Sequence, residues 1–439
     1  MNSQQPSGGK SSLLSDADIR RYFVARMISV AGGVIAYVVM PVLIYGITDS
    51  ARWTSFVVIA EAIPYLLLGM FAGALADRAD RKKIMVSADL ASGVILATIP
   101  VAWALDALTP VHIVVAAFFV QAVYVFFDAA NNGALPQLVT RAQLPRANSM
   151  VFGGMTVIET AVPGLVGLAF LIVAPAPILT VNVVTFFASA LIIRGLRRPL
   201  SKRRTERRTT RTEIFEGLRF LAGHRLVRVM TAVGTCQAFA GGAFIALVVV
   251  WADRSLGVVE GDARLGFLYA IWGAGAVFGS WLMPRLLDHF GQVRTLLLAV
   301  PLSALGGILT SFASVWAAAM VAIAAWSSVY MVVTATSITI RQLVTPERLM
   351  SRVMTVGRML TFGAGFPTGA FIAGVVAEQV GPARALLVCQ IPLVLGSVLA
   401  WSSPLRTAPR VLEAPTEETQ PTTVVDAPGS PSPATESST

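Results

Sequence analysis

Long apolar runs divided by short polar turns make up most of the chain. A helix crossing a hydrocarbon core of about 30 Å needs about 20 apolar residues. Twelve runs qualify: 22–47, 53–76, 84–105, 111–134, 148–174, 176–194, 227–252, 264–284, 294–313, 315–340, 353–378 and 382–402. Backbone facing lipid must satisfy its hydrogen bonds within its own segment, so runs of this length predict α-helices. The expected class is an all-α membrane protein of twelve transmembrane helices. The polar residues 1–21 form an N-terminal tail, and the first apolar run is too long for a signal-peptide core, so it is read as a retained span.

Two further segments break the apolar pattern. Residues 195–226 begin with a dense basic run and end in a stretch where Ile214, Phe215, Leu218 and Leu221 share one helical face. The pattern predicts a linker followed by an amphipathic helix on the membrane surface, with Thr212 as its N-cap. Residues 403–439 are rich in Pro, Thr, Ser and Glu, a composition that builds no core and predicts a disordered tail. The expected organisation is a six-helix bundle at 22–194, the linker, and a second bundle at 227–402.

Composition agrees, with 55% hydrophobic and 13% charged residues and a mean hydropathy of +0.71. A net charge of +10 would suit nucleic acid in a soluble chain. Here the bases sit in short loops between spans, so they report topology and anionic lipid headgroups rather than a nucleic-acid partner. With the N-terminus inside, 28 of the 34 Lys and Arg residues fall on the inner side and 4 on the outer. That bias predicts both termini in the cytoplasm. Cys236 and Cys389 lie in apolar runs away from the histidines, with no disulfide or metal-ligand spacing. Among the tryptophans, Trp272 and Trp326 do not fit an interfacial belt.

The chain also repeats itself. At an offset of 205 residues, LPQLVTRAQLPRANSM from Leu135 aligns with IRQLVTPERLMSRVMT from Ile340, sharing Gln-Leu-Val-Thr. Between the second and third runs stands GALADRADRKK, with Gly73, Asp77, Arg78, Arg81, Lys82 and Lys83. This layout resembles the signature between the second and third helices of the major facilitator superfamily, where Asp80 replaces the family's usual glycine. A worn copy follows at Gly279 and Asp288 to Gly291. The resemblance implies two pseudo-symmetric six-helix halves in parallel orientation. LPQLVTRAQLPRANSM and EIFEGLRFL are most similar to the macrolide-efflux and enterobactin-exporter-like branch, which implies a bacterial inner-membrane location.

No nucleophile elbow, P-loop, zinc or haem motif is visible, so neither an enzyme nor a cofactor is expected. Ionisable residues inside the spans are then the first functional candidates. Glu159 lies about 16 Å from the inner helix end and Glu61 about 24 Å, which makes Glu159, then Glu61, the expected proton-coupling carboxylate. Arg26, Asp89, Asp128 and Arg358 lie within about 10 Å of an inner end, a depth from which long side chains reach water or loop charges. The resemblance implies a conformational latch of Gly73, Asp77, Arg78 and Arg81, with Arg81 paired to Asp128 and Asp77 facing the start of the eleventh span. It also implies a cavity lined by the first, fourth, seventh and tenth spans. Gln121, Tyr124, Gln237, Trp326 and Tyr330 are the expected lining. The expected function is proton-driven export of an amphipathic small molecule by a monomer working through alternating access. A lipid or lysolipid transporter of the same fold, and a non-transporting scaffold or sensor, remain open alternatives.

Overall fold

The computed structural model describes residues 13–140, 143–201, 210–259 and 262–407. The first six runs become α1 (Ala17–Thr48), α2 (Ala51–Arg78), α3 (Arg81–Ala104), α4 (Pro110–Leu138), α5 (Leu144–Phe170) and α6 (Pro175–Arg194). After α7 (Thr210–Gly223) come α8 (Arg225–Leu256), α9 (Ala263–Ser311) and α10 (Trp316–Val344). The eleventh run is α11 (Glu347–Arg358), a π-helical stretch at Met359–Gly365 and α12 (Phe366–Val380). The twelfth is α13 (Pro382–Val388) with α14 (Ile391–Ser402). α9 holds the eighth and ninth runs and breaks at Gly291, where φ is 73° and ψ is 167°.

The two copies of the signature make their turns by different chemistry. In the second half Gly291 supplies a positive φ that a side chain would resist. In the first half Asp80 stays at φ −70° and caps α3, its carboxylate accepting from the backbone N–H groups of Lys82 at 2.9 Å and Lys83 at 3.4 Å. An aspartate that caps the next helix therefore replaces glycine's freedom. The shared Gln-Leu-Val-Thr sits at the end of α4 in one copy and of α10 in the other, each leading into the next helix.

Packing divides the helices into two groups. α1 lies against α5 and α6, α3 against α4 and α6, and α2 against α4. In the second group α9 lies against α10, and α8 against α10, α12 and α14. Between the groups α1 meets α8, α2 meets α8 and α12, and α5 meets α9. Two groups of helices facing each other along one seam is the arrangement that the resemblance implies.

The start of the linker is not a loose tether. Leu196 and Leu200 are buried in a core with Ile19, Met85 and Leu138. The Asp18 carboxylate accepts from the backbone N–H groups of Arg197 at 3.1 Å and Arg198 at 3.0 Å, and Lys82 Nζ donates to the Leu196 carbonyl at 2.7 Å. The basic stretch 202–209 lies outside the described residues. α7 begins two residues before Thr212, so Thr212 lies within the helix and does not cap it. The side chains of Ile214 and Phe215 lie outside the described residues. One face of α7 packs on protein instead of lipid: Glu216 pairs with Arg352, and Leu221 packs with Leu349, Val353 and Val356. Leu218 stays exposed.

Candidate functional site

A cavity of about 620 Å³ lies between the two groups of helices. Its first-group wall comes from α1 (Tyr37), α2 (Glu61), α4 (Gln121, Tyr124) and α5 (Thr156, Glu159), and its second-group wall mainly from α9 (Tyr269, Trp272, Gly273). Helical spacing aims these residues inward, since Gln121 and Tyr124 are three apart, as are Tyr269 and Trp272. The size suits a drug-sized ligand.

Both intramembrane glutamates open onto this cavity. Glu61 is half-buried and Glu159 is exposed to the cavity. Glu159 also stands where the halves cross, because the missing Cβ of Gly273 would lie 3.1 Å from the Glu159 carbonyl oxygen. Of the five lining candidates, Gln121 and Tyr124 line the cavity. Gln237 does not: it is buried, and its Nε2 donates to Ser303 Oγ at 2.9 Å, tying α8 to α9. Trp326 and Tyr330 do not line it either. Their rings stand behind Trp272, each at a centroid distance of 5.3 Å, and Trp326 also meets Phe244 at 5.2 Å. The tenth span thus braces the aromatic that faces the cavity.

The residues missed from sequence were Tyr37, Tyr269 and Trp272. Trp272 carried a signal, being an aromatic too deep for an interfacial belt. Tyr37 and Tyr269 meet edge to face at 6.1 Å across the two halves, and only the fold brings them together.

Below Tyr124 lies a buried polar cluster. Arg26 is 6% exposed, its Nη1 lies 3.4 Å from the Tyr124 hydroxyl and its Nη2 lies 3.7 Å from Asp128 Oδ1. Tyr22 donates to Asn131 Oδ1 at 2.7 Å beside it. Arg26 and Asp89 therefore do not reach water, and Asp89 is 2% exposed. The expected Arg81–Asp128 pair is not formed. Asp128 faces Arg26 and accepts from Asn132 Nδ2 at 3.3 Å, whereas Arg81 Nη1 donates to the carbonyls of Gly133 at 2.8 Å and Leu200 at 3.4 Å. The α4 face that bears Asp128 looks toward α1, and the linker strap occupies the arginine. The side chain of Asp77 lies outside the described residues. Arg78 is exposed, and among the described residues the space at the missing Cβ of Gly73 is empty.

The end of the cavity away from the α2–α3 turn is sealed. Tyr45 donates to Asp253 Oδ2 at 2.6 Å, Arg254 pairs with Asp49 at 3.3 Å, and Arg52 pairs with Glu378. Thr54 Oγ1 donates to the Ala246 carbonyl at 2.9 Å. α5 and α9 touch backbone to backbone, where a methyl group on Gly167 would meet the Ala263 carbonyl oxygen at 2.7 Å and the Gly266 Cα at 2.8 Å. Each of these contacts joins one half to the other.

Comparison with known proteins agrees with this architecture. The chain is 26% identical over 381 residues to the multidrug efflux pump Tap of Mycolicibacterium fortuitum, covering 84% of this chain and 91% of that one. It is 25% identical over 391 residues to Tap of Mycobacterium tuberculosis strain H37Rv, covering 87% and 92%. A bacterial homologue of the lysosomal transporter Spinster superposes with a TM-score of 0.69 at 14% identity, covering 93% of this chain and 100% of that one. The nucleoside transporter NupG gives 0.73 at 11%, covering 87% and 98%. At such identities the structures speak for the fold alone. Residues 11–428 match the family described as transmembrane secretion effector, and the chain belongs to this family of major facilitator transporters.

Proposed function

We propose that this protein exports amphipathic drugs across the bacterial inner membrane by alternating access, with proton entry driving efflux. The observation that carries the reading is a drug-sized cavity between two helix groups that are locked together at one end. Its relatives named as multidrug efflux pumps align over most of both chains, which supports drugs as cargo. The excess of Lys and Arg on the loops of the α2–α3 side assigns that side, and both termini, to the cytoplasm. In this reading the sealed end is periplasmic, the state is inward-facing and the transporter acts as a monomer. Anionic lipid headgroups meet the basic loops.

Glu159 is the proton carrier in this reading. It lines the cavity and is exposed there, and its backbone stands at the crossing of α5 with α9, where a change of charge bears on how the halves sit. A carboxylate alternately hydrated and enclosed binds and releases a proton as its surroundings change. Substrate and proton then compete for one cavity, as an antiporter requires. The test is Glu159→Gln in inverted vesicles. Gradient-driven drug uptake should be lost while counterflow exchange persists; full gradient-driven uptake in that variant would move the role to Glu61.

A further inference from the structure

The cavity wall carries an asymmetry of charge that names the chemistry of its ligand. Two carboxylates, Glu61 and Glu159, line it, while among the described lining residues there is no Lys, Arg or His. Arg26, the buried cation below Tyr124, lies outside the lining and faces Asp128 at 3.7 Å. Glu61 has no hydrogen-bond or ion-pair partner among the described residues. An unpaired carboxylate inside a membrane protein is costly unless it takes up a proton or meets a cation.

The surroundings of Glu61 point to a cation. Tyr37 and Tyr269, whose rings meet edge to face at 6.1 Å, line the same cavity as Glu61, and Trp272 lies one helical turn from Tyr269 on the same wall. Aromatic faces attract organic cations, and desolvated sites strengthen the attraction. Tyr269 adds a second, independent sign of a ligand. It is 5% exposed, it lines the cavity, and its hydroxyl has no hydrogen-bond partner. A buried phenol O–H left without an acceptor costs free energy that a ligand oxygen or nitrogen recovers.

Resting on the exporter reading above, we infer that Glu61, Tyr37, Tyr269 and Trp272 form a cation subsite. Its ligand is an amphipathic organic cation, held by its charged nitrogen at Glu61 and by its flat apolar body against the aromatic wall. An acceptor atom near the cationic centre receives the Tyr269 hydroxyl. The two acids then divide the work: Glu61 holds the charge of the substrate and Glu159 carries the proton.

Tetraphenylphosphonium and tetraphenylborate share a shape and differ in the sign of charge, so they test the subsite directly. Binding of each to the purified full-length protein is measured by equilibrium dialysis. The phosphonium should bind at least about tenfold tighter than the borate, and Glu61→Gln should remove about that factor while Glu61→Asp retains most of it. Equal binding of the two ions, or no change in Glu61→Gln, overturns the inference. If Glu61→Gln fails to fold, the wild-type protein is treated with dicyclohexylcarbodiimide and the adducts are mapped by mass spectrometry. Tetraphenylphosphonium should protect Glu61, and an unprotected Glu61 at saturating phosphonium overturns the subsite. Gradient-driven transport confined to neutral or anionic drugs would sink the subsite and leave the exporter standing. Phosphonium binding that depends on Glu61, with no gradient-driven transport of any drug, would do the reverse.

Discussion

The two ends of the molecule use the same residue types for opposite purposes. At the sealed end small residues are filled in: Gly167 touches Gly266, and Gly374 meets Ser55 Oγ across α2 and α12. Toward the end with the basic loops, Gly69, Gly73 and Gly153 have nothing within 4 Å of their missing Cβ atoms among the described residues. Charges follow the same division. Arg52, Arg254, Asp49 and Glu378 join one half to the other, whereas Lys82, Arg198, Asp16 and Asp18 bond within the first half and its linker strap. Glycines in helices cost about 1 kcal/mol each relative to alanine unless a close approach uses them. Those left empty in this state are accounted for if they are filled in another. A seam packed at one end and prepared but unused at the other is what alternating access requires of a pair of rocking bundles.

The largest effect expected from breaking this contrast is at the packed seam. Gly167→Leu puts a branched side chain where backbone atoms already stand at 2.7–2.8 Å. Overpacking costs about 1–3 kcal/mol, enough to shift a two-state population by about five- to more than a hundredfold. The variant should favour the state open at the now-sealed end. A cysteine at Val120, which lines the cavity, should then react with a membrane-impermeant maleimide added to whole cells, where the parent protein is protected. Unchanged protection would show that the α5–α9 crossing does not hold the seal.

A smaller effect, of opposite sign, is expected from the empty glycine. Gly73→Leu meets open space among the described residues in this state, so the melting temperature should hold and the maleimide protection at Val120 should stay or increase. Transport should fall by about tenfold, because the filled side chain obstructs the state in which α2 would approach the second half. Its counterpart serves as a control. Gly279 already packs on the Ser328 backbone, so Gly279→Leu should lower the melting temperature. A Gly73 variant with normal transport would detach the first copy of the signature from the conformational change.

The helices were legible because bilayer thickness and backbone hydrogen bonding leave a long apolar run little choice. The eighth and ninth runs, 264–284 and 294–313, fall on either side of the break at Gly291, although the helix continues past 284 up to that break. What sequence did not give was azimuth, the direction in which each helix turns its side chains. Depth along the axis placed Glu61 and Glu159 well within the spans, and both reach the cavity. The same depth argument sent Arg26 and Asp89 toward water, because axial position says nothing of the neighbours that enclose them. Gln237, Trp326 and Tyr330 were placed on the seventh and tenth spans, which give the wall only Ile245 and Met331, whereas its second-group side is built mainly from the eighth. Arg81 was assigned to Asp128 because the strap that occupies it comes from residue 200, 119 positions away. A basic linker gives no sign that its first few residues will be buried, beyond the two leucines at 196 and 200.

The smallest effect is expected from the ion pairs that cross the sealed end. Arg52 and Arg254 are roughly half exposed, and exposed pairs contribute about 0.2–1 kcal/mol, at most about a fivefold population shift. A double-mutant cycle of Arg52→Ala and Glu378→Ala, read by labelling at Val120 from outside, should give a coupling in that range. Acid should not open this seal under ordinary conditions. The Tyr45 hydroxyl and the Arg254 guanidinium hold the Asp49 carboxyl below the usual carboxylate range. A carboxyl lowered in this way contributes its stabilisation above its unperturbed pKa and loses it only as pH falls through the lowered value. From about pH 5 to pH 8 the Asp49–Arg254 contact is therefore constant, and labelling at Val120 should not change across that window. A rise in labelling as the outside is acidified would place a titrating group elsewhere in the seal.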